Sequence, residues 1–251
     1  MMVCAVTDVG LSQPRLNRSM FRYGLFERLA RCAQKQEVGV VAWGVYHNDF
    51  RVVFRGREDQ VRDVMRGVRV GTVRAAKSWG VALPTRVTDR WCVPVHQEED
   101  AVFWAHSSAR EHRGDPLADP WTSHRDLMGY RRSSTFSPTS PPDRGTVARV
   151  HARLGGGPVP SMPASEELDG SCTDLCVLLK TASSVLGVLP GDRRAFRLFV
   201  QLGRHLGWPT RSLAEALCLT RRRIRQLSAE PERHLELACL YLADERMRCA
   251  P

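Results

Sequence analysis

A stretch rich in Ser, Pro and Gly, from Arg131 to Ser171, constrains the fold of this chain more than any other feature. It contains the run Ser137-Pro-Thr-Ser-Pro-Pro142, and such a composition buries too little apolar surface to form a stable core. We therefore expect a flexible linker at 131–171, interrupted by a short helix near 146–154. The linker would separate an N-terminal domain (1–130) from a C-terminal domain (172–251), each long enough to bury a core.

Short β-branched runs alternate with amphipathic patterns in the N-terminal domain. β-Branched runs are typical of strands, whereas apolar residues that recur every three or four positions indicate helices. The resulting order, β-α-β-β-α-β-α, is typical of a ferredoxin-like antiparallel sheet with helices on one face. The predicted elements are Val3–Thr7, Met20–Gln34, Val38–Val45, Phe50–Phe54, Glu58–Trp79, Trp91–Val95 and Glu98–Glu111.

The C-terminal domain is predicted to contain helices only, so the fold class of the whole chain is α+β, with the sheet domain followed by an all-α domain. The expected helices are Leu175–Leu186, Arg193–Leu206, Ser212–Leu217, Thr220–Ser228 and Glu232–Arg248.

The third and fourth of these helices match a helix-turn-helix. Ser212 and Glu215 form a capping box that begins one helix, and Thr220 can cap the next. Cys218 occupies the turn at a position where glycine is common, which predicts strain. In such motifs the second helix lies in the major groove of duplex DNA. The predicted DNA-contacting residues of this helix are Arg221, Arg222, Arg223, Arg225 and Gln226. The alternative is a helical hairpin with a solvated arginine face.

The charge of the chain favours a polyanionic partner. The formal net charge is +10, and only three of the 37 basic residues are lysines. Arginine suits bidentate contacts with phosphate and guanine, although a genome rich in G and C produces the same bias. The predicted helix Glu58–Trp79 carries a basic stripe opposite its apolar stripe, and a merely solvated face is the alternative interpretation. The predicted DNA contacts on this stripe are Arg62, Arg66 and Arg69.

Three segments of the N-terminal domain carry a resemblance to a known family. Val45–Phe54 reads Val-Tyr-His-Asn-Asp-Phe-Arg-Val-Val-Phe, Glu98–Gly114 contains the predicted third helix, and Asp119–Tyr130 begins Asp-Pro-Trp-Thr-Ser. These segments resemble, in order, the Met-Pro-Asn-His-x-His strand, the tyrosine helix and the closing Pro-Trp-Ser-Ser-Tyr segment of REP-associated tyrosine transposases of the HUH type. The tail, roughly residues 175–230, is similar to the DNA-binding domain of bacterial replication initiators.

The resemblance implies a DNA-processing scaffold whose catalytic residues have been replaced. The family holds a divalent metal with two histidines and attacks phosphorus with a tyrosine oxygen. The matching positions here are Asp49 and Arg51 for the histidines and Trp104 for the tyrosine, while His106 matches a family histidine outside the metal pair. We therefore expect no intact catalytic residue, no metal site and no required cofactor, and a protein that binds hairpin or single-stranded DNA without cleaving it.

Two alternatives stay open at the level of the sequence. In the first, the chain is an active, metal-dependent transposase or single-strand endonuclease in which His47 and Asp49 bind Mg²⁺ or Mn²⁺. Tyr46, Tyr130 or Tyr23 would then be the nucleophile. In the second, the scaffold has become an interaction protein that binds RNA or another protein through its basic surfaces.

Other features of the sequence limit the class of protein further. No run reaches the length of a membrane span, and the N-terminus lacks the pattern of a signal peptide, so we expect a cytoplasmic protein with no membrane partner. The eight cysteines are scattered and do not form a zinc-binding set.

Overall fold

The computed structural model describes residues 1–9, 18–46, 49–83, 89–113, 115–131, 137–160, 174–229, 234–244 and 247. The chain forms two compact units. The first comprises Met1–Gly129 together with Ser134–Gly157, and the second comprises Tyr130–Ser133 with Pro158–Pro251. The fold is α+β, as the sequence predicts.

A four-stranded antiparallel sheet forms the centre of the first unit. Its strands are β1 (Met2–Asp8), β2 (Gly39–Val45), β3 (Asp49–Arg55) and β4 (Asp89–Val93), in the spatial order β2-β3-β1-β4. Every neighbouring pair is antiparallel. The inner strands β1 and β3 carry buried apolar residues on both faces of the sheet, as is typical of strands covered on both sides. The face of β3 that carries Val53 also carries Asp49, Arg51 and Arg55.

Two long helices cover one face of this sheet. They are α1 (Ser19–Lys35) and α2 (Glu58–Ser78). Phe26 of α1 lies against Trp43 of β2 with ring centroids 4.1 Å apart, and Val64 and Met65 of α2 are fully buried in the same cluster. This large apolar cluster is the main core of the first unit.

The opposite face is covered as well, so the prediction that helices lie on one face only was wrong. Helix α3 (Glu98–Arg113) and helix α5 (Arg144–Arg153) pack there. A second core cluster joins the two helices to the sheet, with Val102 of α3 and Val150 of α5 both fully buried. The physical reason is that alternate residues such as Cys4 and Val53 are apolar on this face too, and water could not solvate them favourably.

Residues 137–157 belong to this unit, although the sequence places them in a flexible linker. Ser140 donates its backbone N–H to the carbonyl of Val40 on β2, and Asp143 caps α5 by accepting from the backbone N–H of Thr146. Of the rest of the predicted linker, Arg131 and 158–160 belong to the second unit, and 132–136 and 161–171 lie outside the described residues. Composition alone missed the docking because only a few apolar residues, such as Val150 and Leu154, are needed to attach a short helix.

The outer edge of β2 is closed by a short segment that precedes helix α4 (His124–Leu127). The backbone N–H of Val45 donates to the carbonyl of Trp121 at 2.8 Å, and that of Ser123 donates to the carbonyl of Trp43 at 2.8 Å. This segment includes the residues that resemble the family's closing sequence. Here it forms hydrogen bonds with backbone groups that the edge strand β2 would otherwise expose.

Every regular element in the described residues of the second unit is a helix. The helices are α6 (Leu175–Leu186), α7 (Arg193–His205), α8 (Thr210–Ala216), α9 (Arg221–Ala229) and α10 (Leu235–Ala243). Helix α7 crosses α8 closely, because a Cβ built at Gly203 would lie only 2.5 Å from Cδ2 of Leu213. None of the helices in the described parts of either unit has the length and apolar character needed to cross a bilayer.

Candidate functional site

The structure brings Asp49, Arg51 and Trp104 together. The Arg51 Nε donates to Oδ2 of Asp49 at 3.0 Å, and Nη1 donates to the backbone carbonyl of Trp104 at 3.1 Å. Nη1 also donates to Oγ of Ser107 at 3.2 Å. The guanidinium carbon lies 5.0 Å from the ring centroid of Tyr46 and 5.4 Å from that of Trp104. Asp49, Arg51, Trp104, Ser107 and Tyr46 are called the Arg51 cluster below.

These residues do not fit a divalent metal. Arg51 keeps a fixed positive charge 3.0 Å from the carboxylate of Asp49, which is the ligand that a metal would need. Among the described residues, no group of three or more His, Cys, Asp or Glu side chains is arranged to hold a metal ion. His47, the second ligand of the alternative with displaced residues, lies outside the described residues, as does Asn48.

The tyrosines considered as replacement nucleophiles are engaged in packing. The Tyr46 hydroxyl is buried and donates to the carbonyl of Ala105 on α3. The Tyr130 hydroxyl donates to the carbonyl of Pro160 at 3.2 Å, and Tyr130 lies in the second unit. Tyr23 packs edge-on against Trp121, on the opposite face of the sheet from Arg51. Tyr46 is the neighbour of Asp49 among them, since its backbone N–H donates to the Asp49 carbonyl at 2.8 Å, but its hydroxyl is taken up by Ala105.

A glycine sets the distance between α3 and the sheet at this point. A Cβ built at Gly44 on β2 would overlap the carbonyl oxygen of Ala105, and it would also lie 2.5 Å from the hydroxyl oxygen of Tyr46. The helix backbone therefore rests directly on the strand backbone, which brings the Trp104 carbonyl within reach of Arg51.

Sequence reasoning missed two members of this neighbourhood. Ser107 holds Arg51 from one turn beyond Trp104 on α3, and its hydroxyl also donates to the carbonyl of Trp104 at 3.0 Å. Trp91 of β4 packs edge-on against Trp104, with ring centroids 4.6 Å apart. Residues three positions apart lie on the same side of a helix, so the spacing of Trp104 and Ser107 could have predicted that Ser107 faces Arg51 as well. No local signal connects Trp91 to Trp104, because that contact depends on strand order.

The basic stripe of α2 lies on the other side of the sheet. Arg62 and Arg66 are exposed and Arg69 is half-buried, all on the outer surface of a helix whose inner surface faces the main core. Arg66 has a weak ion pair with Asp63 at 3.7 Å. The stripe and the Arg51 cluster therefore do not form one continuous surface, because the sheet separates them.

A second basic surface belongs to α9 in the C-terminal unit. Ile224 and Leu227 are buried and anchor the helix, so Arg221, Arg222 and Arg225 are exposed on its outer side. Thr220 caps α9 by accepting from the backbone N–H of Arg223 at 3.2 Å. Arg223 is also exposed and donates to Oε1 of Gln226 at 3.1 Å. No carboxylate among the described residues forms an ion pair with these four arginines.

The turn between α8 and α9 contains a strained residue. Cys218 has φ of +52°, in the left-handed region that favours glycine. The backbone N–H of Leu219 then donates to the carbonyl of Ala214 at 2.9 Å, which ends α8. The sequence predicted strain at this position, and the backbone conformation agrees with that prediction.

Replacing Cys218 with glycine is expected to stabilise the protein by roughly 0.5–1 kcal/mol, because the relief of left-handed strain exceeds the entropy cost of glycine. The midpoint of urea unfolding, followed by circular dichroism, measures the change. Cys176→Gly is the matched control, since Cys176 is exposed within α6 and glycine there should destabilise by about 1 kcal/mol. A destabilised Cys218→Gly protein would contradict the assignment of strain.

No family model, curated protein or solved structure matches the chain. The likeness to REP-associated tyrosine transposases stays an expectation from the sequence. The two features that bear on the function of the chain are the geometry of the Arg51 cluster and the exposed arginines of α9.

Proposed function

We propose that the chain is a transposase-derived DNA-binding protein without strand-cleavage activity. Its N-terminal unit recognises hairpin or single-stranded DNA, and its C-terminal helix-turn-helix binds duplex DNA. The observation that carries the proposal is the surface of α9, where four exposed arginines form no ion pair with any described carboxylate. Such a concentration of like charge favours a polyanion, because each arginine raises the electrostatic energy of its neighbours until counter-charge arrives.

The arrangement of α8 and α9 supports a helix-turn-helix. Two short helices are joined by a tight turn at Cys218, and Ala214 and Leu213 on α8 are buried where the helices cross. The second helix begins with Arg221, so its N-terminal residues can meet phosphates and base edges when the helix enters a major groove.

The sheet of the first unit supports a ferredoxin-like assignment. The spatial order β2-β3-β1-β4, with every neighbour antiparallel and with α1 and α2 on one face, corresponds to a βαββαβ arrangement. Helix α3 then lies on the opposite face, beside the strand that carries Asp49 and Arg51. The resemblance assigns this segment to the place of the tyrosine helix of the transposases.

Loss of cleavage follows from the chemistry of the Arg51 cluster. Phosphoryl transfer to tyrosine needs an oxygen nucleophile and a cation that stabilises charge on phosphorus. The indole of Trp104 supplies no such oxygen, and the guanidinium of Arg51 already binds Asp49, Ser107 and a backbone carbonyl. The cluster is therefore a structural joint between β3 and α3 rather than a catalytic centre.

Hairpin DNA incubated with the full chain and Mg²⁺ or Mn²⁺ is expected to bind without forming a covalent protein–DNA adduct. A native gel measures the binding, and a denaturing gel of the same samples measures the adduct. A shifted band that survives denaturation would support the active alternative. In that event, loss of the band in Tyr46→Phe or Tyr130→Phe would identify the nucleophile. Absence of any native-gel shift would contradict the DNA-binding proposal.

A further inference from the structure

Three buried histidines from three different elements form a contiguous chain in the first unit. His106 lies on α3, His124 on α4 and His151 on α5, and all three are less than 7% exposed, at 0%, 0% and 6%. The Nε2 of His124 lies 3.0 Å from Nδ1 of His151, and these two rings are stacked with centroids 5.2 Å apart. The rings of His106 and His124 meet edge-on, also at 5.2 Å.

The hydrogen bonds fix which nitrogen carries each proton along part of this chain. The Nε2 of His151 lies 2.9 Å from the carbonyl oxygen of Gly157, which can only accept, so Nε2 of His151 is the donor. Nδ1 of neutral His151 must then accept from Nε2 of His124. Consequently Nδ1 of His124 carries a lone pair, and within the described part of the chain this buried atom has no hydrogen-bond partner. A second proton could enter the His124 ring only at Nδ1, where no described group is placed to accept its hydrogen bond.

The chain of histidines attaches residues 144–157, called the α5 segment below, to the rest of the unit. Val150 and Leu154 contribute apolar contacts with α3, and Gly156 approaches the His151 ring so closely that a Cβ there would overlap it. On the outside, Arg149 pairs with Glu99 at 2.7 Å, and Arg153 pairs with Glu99 and Asp100 at 3.0 and 2.8 Å. These outer ion pairs are exposed and contribute little. The histidines occupy the buried side of the same attachment.

Protonation of His124 would be unfavourable in this environment. Burial lowers the pKa of His124 well below 6.5, and the neighbouring His106 and His151 lower it further. The carboxylates nearest in the sequence are engaged elsewhere. Asp126 accepts from the hydroxyl of Ser137 at 3.3 Å, Asp119 accepts from the backbone N–H of Trp121, and Asp115 accepts from those of Leu117 and Gly157. Arg125, next to His124, is buried and donates to the carbonyl of Leu117, so it adds positive charge rather than compensating it.

We propose that mild acid releases the α5 segment from α3 and α4, because the attached segment keeps His124 buried where no described group can accept a second ring N–H. His124 is a stronger base when the α5 segment is released than when it is attached, so the released form binds more protons. Attachment is complete above the ordinary histidine pKa of about 6.5 and weakens as the pH falls below that value. This inference concerns the first unit alone and does not depend on DNA binding.

Hydrogen–deuterium exchange of the full chain between pH 7.5 and pH 5 tests the proposal. After correction for the intrinsic effect of pH, amides of α5 should lose protection by about tenfold per pH unit below pH 6.5, as uptake of one proton requires. Amides of β1 and β3 should keep their protection over the same range, because the sheet remains folded. Corrected protection of α5 that does not change with pH would overturn the proposal, as would a parallel loss of protection in β1 and β3.

A double variant, His124→Gln/His151→Gln, tests the assignment to these two residues. Glutamine keeps a donor and an acceptor but does not titrate near neutral pH. We expect either protection of α5 that is independent of pH or a segment that is already released at pH 7.5. Both results would support the role of the pair. His96→Gln/His205→Gln is the matched control, since both residues are exposed, and it should keep the wild-type dependence on pH. A wild-type dependence in the His124/His151 variant would refute the assignment.

Discussion

Changing Arg222 and Arg223 together to alanine is expected to weaken binding of duplex DNA on the order of a hundredfold, because each arginine contributes a phosphate or base contact worth about 1–3 kcal/mol. The dependence of log Kd on log salt concentration should become shallower by about 2, since two counterions fewer are released on binding. Fluorescence anisotropy with a labelled duplex, measured at several salt concentrations, gives both quantities. Circular dichroism establishes that the helices are retained.

The matched control for this prediction is Arg193→Ala/Arg194→Ala. These two arginines lie at the start of α7 in the same unit, both are exposed, and their removal changes the net charge by the same amount. We expect the control to lose less than fivefold in affinity. Equal weakening by the two double variants would mean that net charge, rather than the surface of α9, governs binding. An unchanged salt dependence in Arg222→Ala/Arg223→Ala would contradict the helix-turn-helix assignment.

Replacing Arg51 with alanine is expected to lower the free energy of unfolding by about 2–3 kcal/mol. The substitution removes the ion pair with Asp49, the hydrogen bonds to Trp104 and Ser107, and two cation–π contacts. It also leaves the Asp49 carboxylate without its cation. Because the Arg51 side chain is only 20% exposed, water compensates these losses incompletely. Urea unfolding followed by tryptophan fluorescence measures the change.

Arg55→Ala provides the control on the same strand. Arg55 also forms an ion pair, with Glu98 on α3, but its side chain is 42% exposed. We expect its removal to cost about 1 kcal/mol or less. If Arg51→Ala were as mild as Arg55→Ala, the Arg51 cluster would not be a structural joint. That result would favour the alternative in which the chain is an active enzyme.

Most of the described helices and strands were predictable from local patterns, but the short helix α4 was not predicted. The capping box expected at Ser212 was wrong, because α8 begins at Thr210 after Pro209. The apolar stripe of α2 at Val61, Val64, Met65 and Val68 is buried as its spacing indicates. The sequence did not predict that helices cover both faces of the sheet. An apolar strand shows that it will be covered, but it does not show which distant helix will cover it. Helix α5 comes from a segment whose composition is dominated by Ser, Pro and Gly, so its docking depends on tertiary contacts that composition does not encode.

Asp49, Arg51 and Trp104 of the candidate site were predictable, but Ser107 and the hydrogen bonds among these residues were not. Alignment to a strand motif and a helix motif placed Asp49, Arg51 and Trp104 together, and the structure brings them into contact. The sequence could not reveal that Arg51 binds the backbone of Trp104 rather than its ring alone. The histidine chain was beyond prediction too, since His106, His124 and His151 are separated by 18 and 27 positions and meet only after three helices dock.

The contact at Gly44 limits any attempt to engineer a cavity beneath α3. Replacing Trp104 with a smaller residue would not admit a DNA strand between α3 and the sheet. The main chains of β2 and α3 already touch at Gly44 and Ala105, and no substitution removes main-chain atoms. The smallest wedge that would move the helix outward is a single methyl group at position 44, which would meet the Ala105 carbonyl and the phenol of Tyr46 together. Gly44→Ala is therefore a spacer mutation that acts on α3 and on the Tyr46 side chain at once.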